Sequence, residues 1–152
     1  MNNFIQKSGD KMAKTRADRK NYKCAFQKHA HTYDNWKNGS DISRRLLLCY
    51  CVECGLKCKI MQDNNIYRTS QADTDLEKVL GTHDFRLLLK AVKHAKVYQF
   101  KEFKTEYNEV VTAENFHQVC RYCIEQKKGE TDSLNEFEKI LKAIAEWLKE
   151  EI

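Results

Sequence analysis

Cys51-x-x-Cys54 and Cys120-x-x-Cys123 stand at the spacing of a four-cysteine zinc site, where two thiolates from each of two segments close a tetrahedron. Both pairs also fall within apolar helical stripes, and no glycine-turn knuckle surrounds either one. Cysteine is among the most buried residue types, and Cys49 and Cys58 share the first stretch, so a thiol-tolerant core is the preferred reading. The expectation is therefore no metal and no cofactor, with a zinc-dependent structural or interaction module as the alternative. Seven cysteines is an odd count, and in a chain without a secretion signal it points to thiols or ligands and not to a disulfide framework.

Glu53 is the polar residue out of place in Cys-Val-Glu-Cys-Gly-Leu-Lys. A carboxylate in apolar surroundings needs a partner, and Lys57 at i+4 or Arg121 can supply one. His83 and Asp84 stand at a helix start, where Asp84 has a local use against the helix dipole. Arg86, Lys90, Lys93, His94, Lys96, Lys101 and Lys104 form a basic stretch interleaved with aromatics, a combination that can hold phosphates and stack bases or simply be a solvated face. His29 lies on the apolar side of the first helix and His31 off it, and a hydrogen bond within the core is expected for one of them. No glycine-rich phosphate loop, Gly-x-Ser-x-Gly elbow or His-Glu-x-x-His pattern is present.

Helices must position these residues. Tyr22, Phe26, His29, Tyr33 and Trp36 recur as one helical face ending near Lys37, with Gly39 as its stop. Ile42, Leu46, Tyr50, Cys54, Cys58 and Met61 form the next stripe, and the run from Leu46 to Val52 is apolar on every side, the mark of a central helix. Thr74 with Glu77 has capping-box spacing for a short helix through Leu80, and Thr82 caps a helix carrying Phe85, Leu88, Leu89 and Val92. Residues 97–112 read as irregular and aromatic, with room for a short extended piece. Phe116, Val119, Cys120, Cys123 and Ile124 mark a further helix. Ser133 with Glu136 is a second capping box, opening a last helix with Phe137, Leu141, Ile144 and Leu148 on one face.

The 152 residues suit one domain able to bury its own core. Proline is absent where average usage would supply about seven, which disfavours turn-rich β folds. No stretch approaches the roughly 18 apolar residues of a membrane span, so a soluble, cytoplasmic protein is expected, with no membrane partner. Residues 1–20 hold six basic side chains against Asp10 and Asp18, and read as a flexible basic tail. The body, residues 21–152, is nearly balanced in charge, unlike a basic nucleic-acid-binding domain.

Three segments together carry a resemblance. Arg45 to Lys57, with Tyr50-x-x-Glu53-x-x-Leu56-Lys57 within it, resembles the central helix of the HEPN superfamily (higher eukaryote and prokaryote nucleotide-binding domains). Thr82-His83-Asp84-Phe85-Arg86-Leu87-Leu88-Leu89 is similar to that family's His-Asp-Leu-x-x-Leu-Leu helix, and Arg121-Tyr122 with Trp147-Leu148 looks like its Arg-Tyr and terminal elements. The resemblance covers roughly residues 21–152. It implies an all-α, four-to-six-helix up-and-down bundle that often forms a homodimer or joins an accessory protein partner. It also implies binding of RNA or a nucleotide, in toxin–antitoxin or phage-defence settings. The family's ribonucleases carry Arg-x(4–6)-His, which this chain lacks: Arg86 and His94 are too far apart, and His117-x-x-x-Arg121 has the reverse order. The expectation is a non-catalytic or accessory domain with Glu53, Lys57, His83, Asp84, Arg86, Lys90 and Arg121 about its ligand, and an atypical metal-independent ribonuclease as the alternative.

Overall fold

A computed structural model describes residues 16–129 and 132–152. Among these residues there are six α-helices, α1 (Arg19–Asp34), α2 (Asp41–Asp63), α3 (Thr74–Leu80), α4 (Phe85–Ala91), α5 (Phe116–Arg121) and α6 (Ser133–Glu151). The protein is mainly helical, and α2 is the element on which α1, α4, α5 and α6 all pack. That placement follows from the apolar run seen in the sequence: Leu48, Cys49, Cys51, Val52, Leu56, Ile60 and Met61 are all fully buried. No described helix is long and apolar enough to cross a membrane.

Close approach to α2 is set at Gly55. A β-carbon there would stand 2.7 Å from a Phe26 ring carbon and 2.8 Å from a Leu148 methyl, so α1 and α6 both lean on the bare backbone. Three cationic side chains are carried into the buried surface of α2, and each meets a carboxylate. Lys57 pairs with Glu53 at 2.7 Å, Lys59 with Asp63, and Arg45 with Glu138 at 3.0 Å. Glu138 also accepts from Arg44 Nε at 2.7 Å and Tyr33 Oη at 2.8 Å, which ties α1, α2 and α6 together. Burial opposes ionisation of Glu138, but these donors outweigh it and hold the carboxyl below its usual range.

Several expectations need correction. The short extended piece expected within residues 97–112 is a small antiparallel hairpin, β1 (Phe103–Lys104) with β2 (Val110–Val111), in register Phe103 to Val111, so the fold is mainly helical and not helix alone. Phe103 and Val111 point inward while Lys104 and Val110 face out, a two-residue alternation too short to stand out from the surrounding aromatics. The first helix ends at Asp34, before Trp36, whose ring instead covers Gly39. Asp73, not Thr74, caps α3 by accepting from Leu76 N, and Asp84, not Thr82, caps α4. The Ser133–Glu136 capping box is replaced by Asp132, which turns with φ 46° and whose carbonyl accepts from Glu136 N. Finally, α5 stops at Arg121, because Cys123 takes the left-handed conformation (φ 53°) and Ile124 N bonds back to Val119 O at 3.0 Å. This is a Schellman-type stop with cysteine where glycine is usual.

Of the expected tail, residues 1–15 lie outside the described residues. Asp18 precedes α1, and Arg19 and Lys20 belong to its first turn.

Candidate functional site

Tyr50, Glu53 and Lys57 lie three and four residues apart, so they project from one face of α2. His117 and Arg121 share a face of α5 by the same spacing. Where α5 packs on α2 the two rows meet: Arg121 Nη2 donates to Tyr50 Oη at 3.3 Å. His83 enters from the segment before α4, fixed there by two turns of hydrogen bonding. Asp84 N donates to Thr82 Oγ1 at 3.2 Å, and Arg86 N donates to Asp84 Oδ1 at 2.9 Å. The His83 Nδ1–H then reaches both Glu53 oxygens, at 3.0 and 3.1 Å.

The two imidazoles are neighbours. The ring centroids of His83 and His117 are 5.1 Å apart with planes tilted by 42°. His83 is exposed, while His117 is 6% exposed and its Nδ1 is buried without a hydrogen-bond partner. Burial, then His83 and Arg121, push the His117 imidazole below its ordinary range, against the pull of Glu53 and the Glu114 carbonyl. The result is a buried imidazole whose protonation is disfavoured, an exposed histidine on a carboxylate, and an exposed arginine that donates to the Tyr50 phenol oxygen. Among the described residues Arg121 makes no ion pair with a carboxylate, and Tyr50 and Tyr122 raise its affinity for the proton.

Of the seven residues expected about a ligand, Glu53, Lys57, His83 and Arg121 come together. Asp84 is buried apart from them and caps α4, with Arg86 Nε 3.7 Å away. Arg86 and Lys90 lie exposed on α4, and among the described residues the ion pairs of Glu53 are with Lys57 and His83 instead. The basic stretch beyond them leaves the helix at Val92, and Lys93 N donates to Asp63 Oδ2 at 2.8 Å. His29 is half-buried, and His31 meets Asn35 on the surface, so neither histidine is bonded within the core. His117 was not among the expected site residues; its position four before Arg121, on the same helical face, is the signal that marks it.

The cysteine pairs diverge. Cys51 faces the Phe26 carbonyl of α1, and burial pushes its thiol up to about 12; Cys54, also desolvated, rises to about 11. Cys120 instead is buried on the side of Cys49, whose thiol burial and this neighbour push up, and Cys123 is carried off the helix to the surface by its left-handed turn. Among the described residues no group of three or more His, Cys, Asp or Glu is placed to hold a metal ion, so the four-cysteine alternative loses its geometry. No family model, curated protein or solved structure matches the chain.

Proposed function

We propose that the chain is a cytoplasmic, HEPN-like accessory bundle whose Glu53–His83–His117–Arg121 cluster binds the phosphate of an RNA or nucleotide. The observation that carries this reading is the adjacency of the His83 and His117 rings, 5.1 Å apart, beside Arg121, which follows His117 by four residues on the same face of α5. Arginine presents a planar fork of donors that suits phosphate, and among the described residues no carboxylate occupies it. Glu53 keeps His83 in place through Nδ1, which leaves its other ring nitrogen for a ligand. The resemblance of Tyr50-x-x-Glu53-x-x-Leu56-Lys57 and Thr82-His83-Asp84 to the HEPN helices supports the same site. Filter binding of short RNAs and nucleotides at low salt tests it, since electrostatic binding is strongest there. Arg121→Ala should weaken retention roughly tenfold, the scale of one charge-assisted contact. Absence of any bound ligand at low salt would sink the reading.

A second reading, a metal-independent ribonuclease, is favoured by the 5.1 Å separation of the two rings. In it neutral His117 takes the proton of the ribose 2′-hydroxyl as that oxygen attacks phosphorus. The departing 5′-oxygen is then protonated by His83. Incubation of total RNA with the protein and with a His83→Ala, His117→Ala double variant separates the readings: equal cleavage by both identifies a contaminant.

A further inference from the structure

A cavity of ≈ 670 Å³ lies away from the histidine cluster, at the start of α1, where the segment following α2 folds against it. Among the described residues Arg16, Arg19, Lys20, Lys23 and Arg68 line it, with Asp18 as the sole carboxylate. Asp18 is already engaged, accepting from Thr69 N at 3.0 Å and from Thr69 Oγ1 at 3.1 Å. Those bonds, with Arg19 N donating to Tyr67 O, fasten the wall carrying Tyr67 and Arg68 to the helix end. Among the described residues none of the five cations makes an ion pair. Five positive side chains held around one cavity repel one another, an arrangement that an anion relieves.

An aromatic shelf accompanies the charge. The Arg19 guanidinium lies 3.9 Å from the Tyr67 ring centroid, and Tyr67 remains 59% exposed. A flat exposed ring beside several cations is what a nucleobase joined to phosphate requires. We infer that this pocket is a second, separate binding site for nucleotide phosphate, with Arg16, Lys20, Lys23 and Arg68 receiving the phosphates and Tyr67 stacking the base. Free nucleotides and single-stranded RNA share this chemistry. The site stands independently of the histidine cluster, because it shares no residue with it.

Fluorescence anisotropy with labelled oligouridylate, and calorimetry with ATP and inorganic pyrophosphate, all at low salt, test the site. The variants are Lys23→Ala with Arg68→Ala, Tyr67→Ala and, for comparison, Arg121→Ala; the pocket positions are exposed, and thermal melts check that each variant folds. The double variant should weaken binding at least tenfold and flatten the log–log salt dependence for oligouridylate by about 1.4, the contribution of two phosphate contacts to a single strand. Tyr67→Ala should weaken ATP or oligouridylate roughly tenfold while sparing pyrophosphate. Tight binding of ATP identifies a mononucleotide site, and binding of oligouridylate alone identifies a strand site; either supports the inference. Wild-type affinity in both pocket variants, or no binding by the wild-type protein, overturns it. Loss in Arg121→Ala alone overturns the pocket and leaves the histidine cluster; loss in the pocket variants alone does the reverse.

Discussion

Nδ1 of His83 lies 3.0 Å from a carboxylate oxygen of Glu53, across 30 residues of chain. Glu53 accepts from Lys57 at 2.7 Å with the same oxygen, so one half-buried carboxylate anchors a buried ammonium and aligns the entrance of α4. Stability and site geometry therefore converge on one side chain.

Glu53→Gln leaves Lys57, whose side chain is only 7% exposed, without its counter-charge. Breaking a buried pair from one side costs about 3–5 kcal/mol, and a loss near the lower end is expected because Gln can still accept a hydrogen bond. Urea unfolding measures it. Adding Lys57→Met should recover much of the loss, since removing both charges leaves nothing buried and unpaired.

Gly55→Ala opposes two effects of known sign. Alanine is favoured over glycine in a helix by roughly 1 kcal/mol. The new methyl would meet Phe26 and Leu148 at 2.7 and 2.8 Å, both within the packed core. Overpacking of that kind costs about 1–3 kcal/mol, so a net destabilisation is expected in thermal or urea unfolding.

How much of this was legible depends on the range of the interaction. The central place of α2 was readable because Leu46 to Val52 is apolar all round, and the Glu53–Lys57 pair because i+4 spacing is local. The meeting of His83 with Glu53, and of His117 with His83, depends on how three segments pack, which no local pattern carries. The early end of α5 was hidden for another reason. Its stop uses Cys123 with positive φ in place of glycine, so the helical stripe runs on in sequence after the helix has ended in space. The cavity at α1 joins Arg19 and Lys23 to Tyr67 and Arg68 from distant parts of the chain, and the exposed tyrosine reads alone as an ordinary surface residue.

The neutral form of His117 makes stability pH-dependent. Its folded affinity for protons is below the ordinary value of 6.5, so the unfolded chain binds more protons as pH falls through that value. Its contribution is thus complete above about pH 6.5, declines as pH drops, and levels off below the folded value. Unfolding free energies at a series of pH values should show this limb, and His117→Phe should flatten it.

Glu138 acts lower on the scale. Its folded carboxyl titrates below 4.5, so its stabilising contribution is present above 4.5 and lost as pH falls through the depressed value. Glu138→Gln should remove this acid limb and destabilise the fold by about 3–5 kcal/mol, because Arg45 stays buried without its carboxylate. Acid titration of the far-ultraviolet dichroism of both proteins checks the shape, and urea unfolding at neutral pH the size.

The most direct measurement for the proposed phosphate site follows the imidazole nitrogens of His83 and His117 by NMR during titration with a short single-stranded RNA at low salt. Saturable movement of both sets of signals is expected, with the response lost in Arg121→Ala. Stationary His83 and His117 signals while the RNA binds elsewhere, or an unchanged response in Arg121→Ala, would contradict the account.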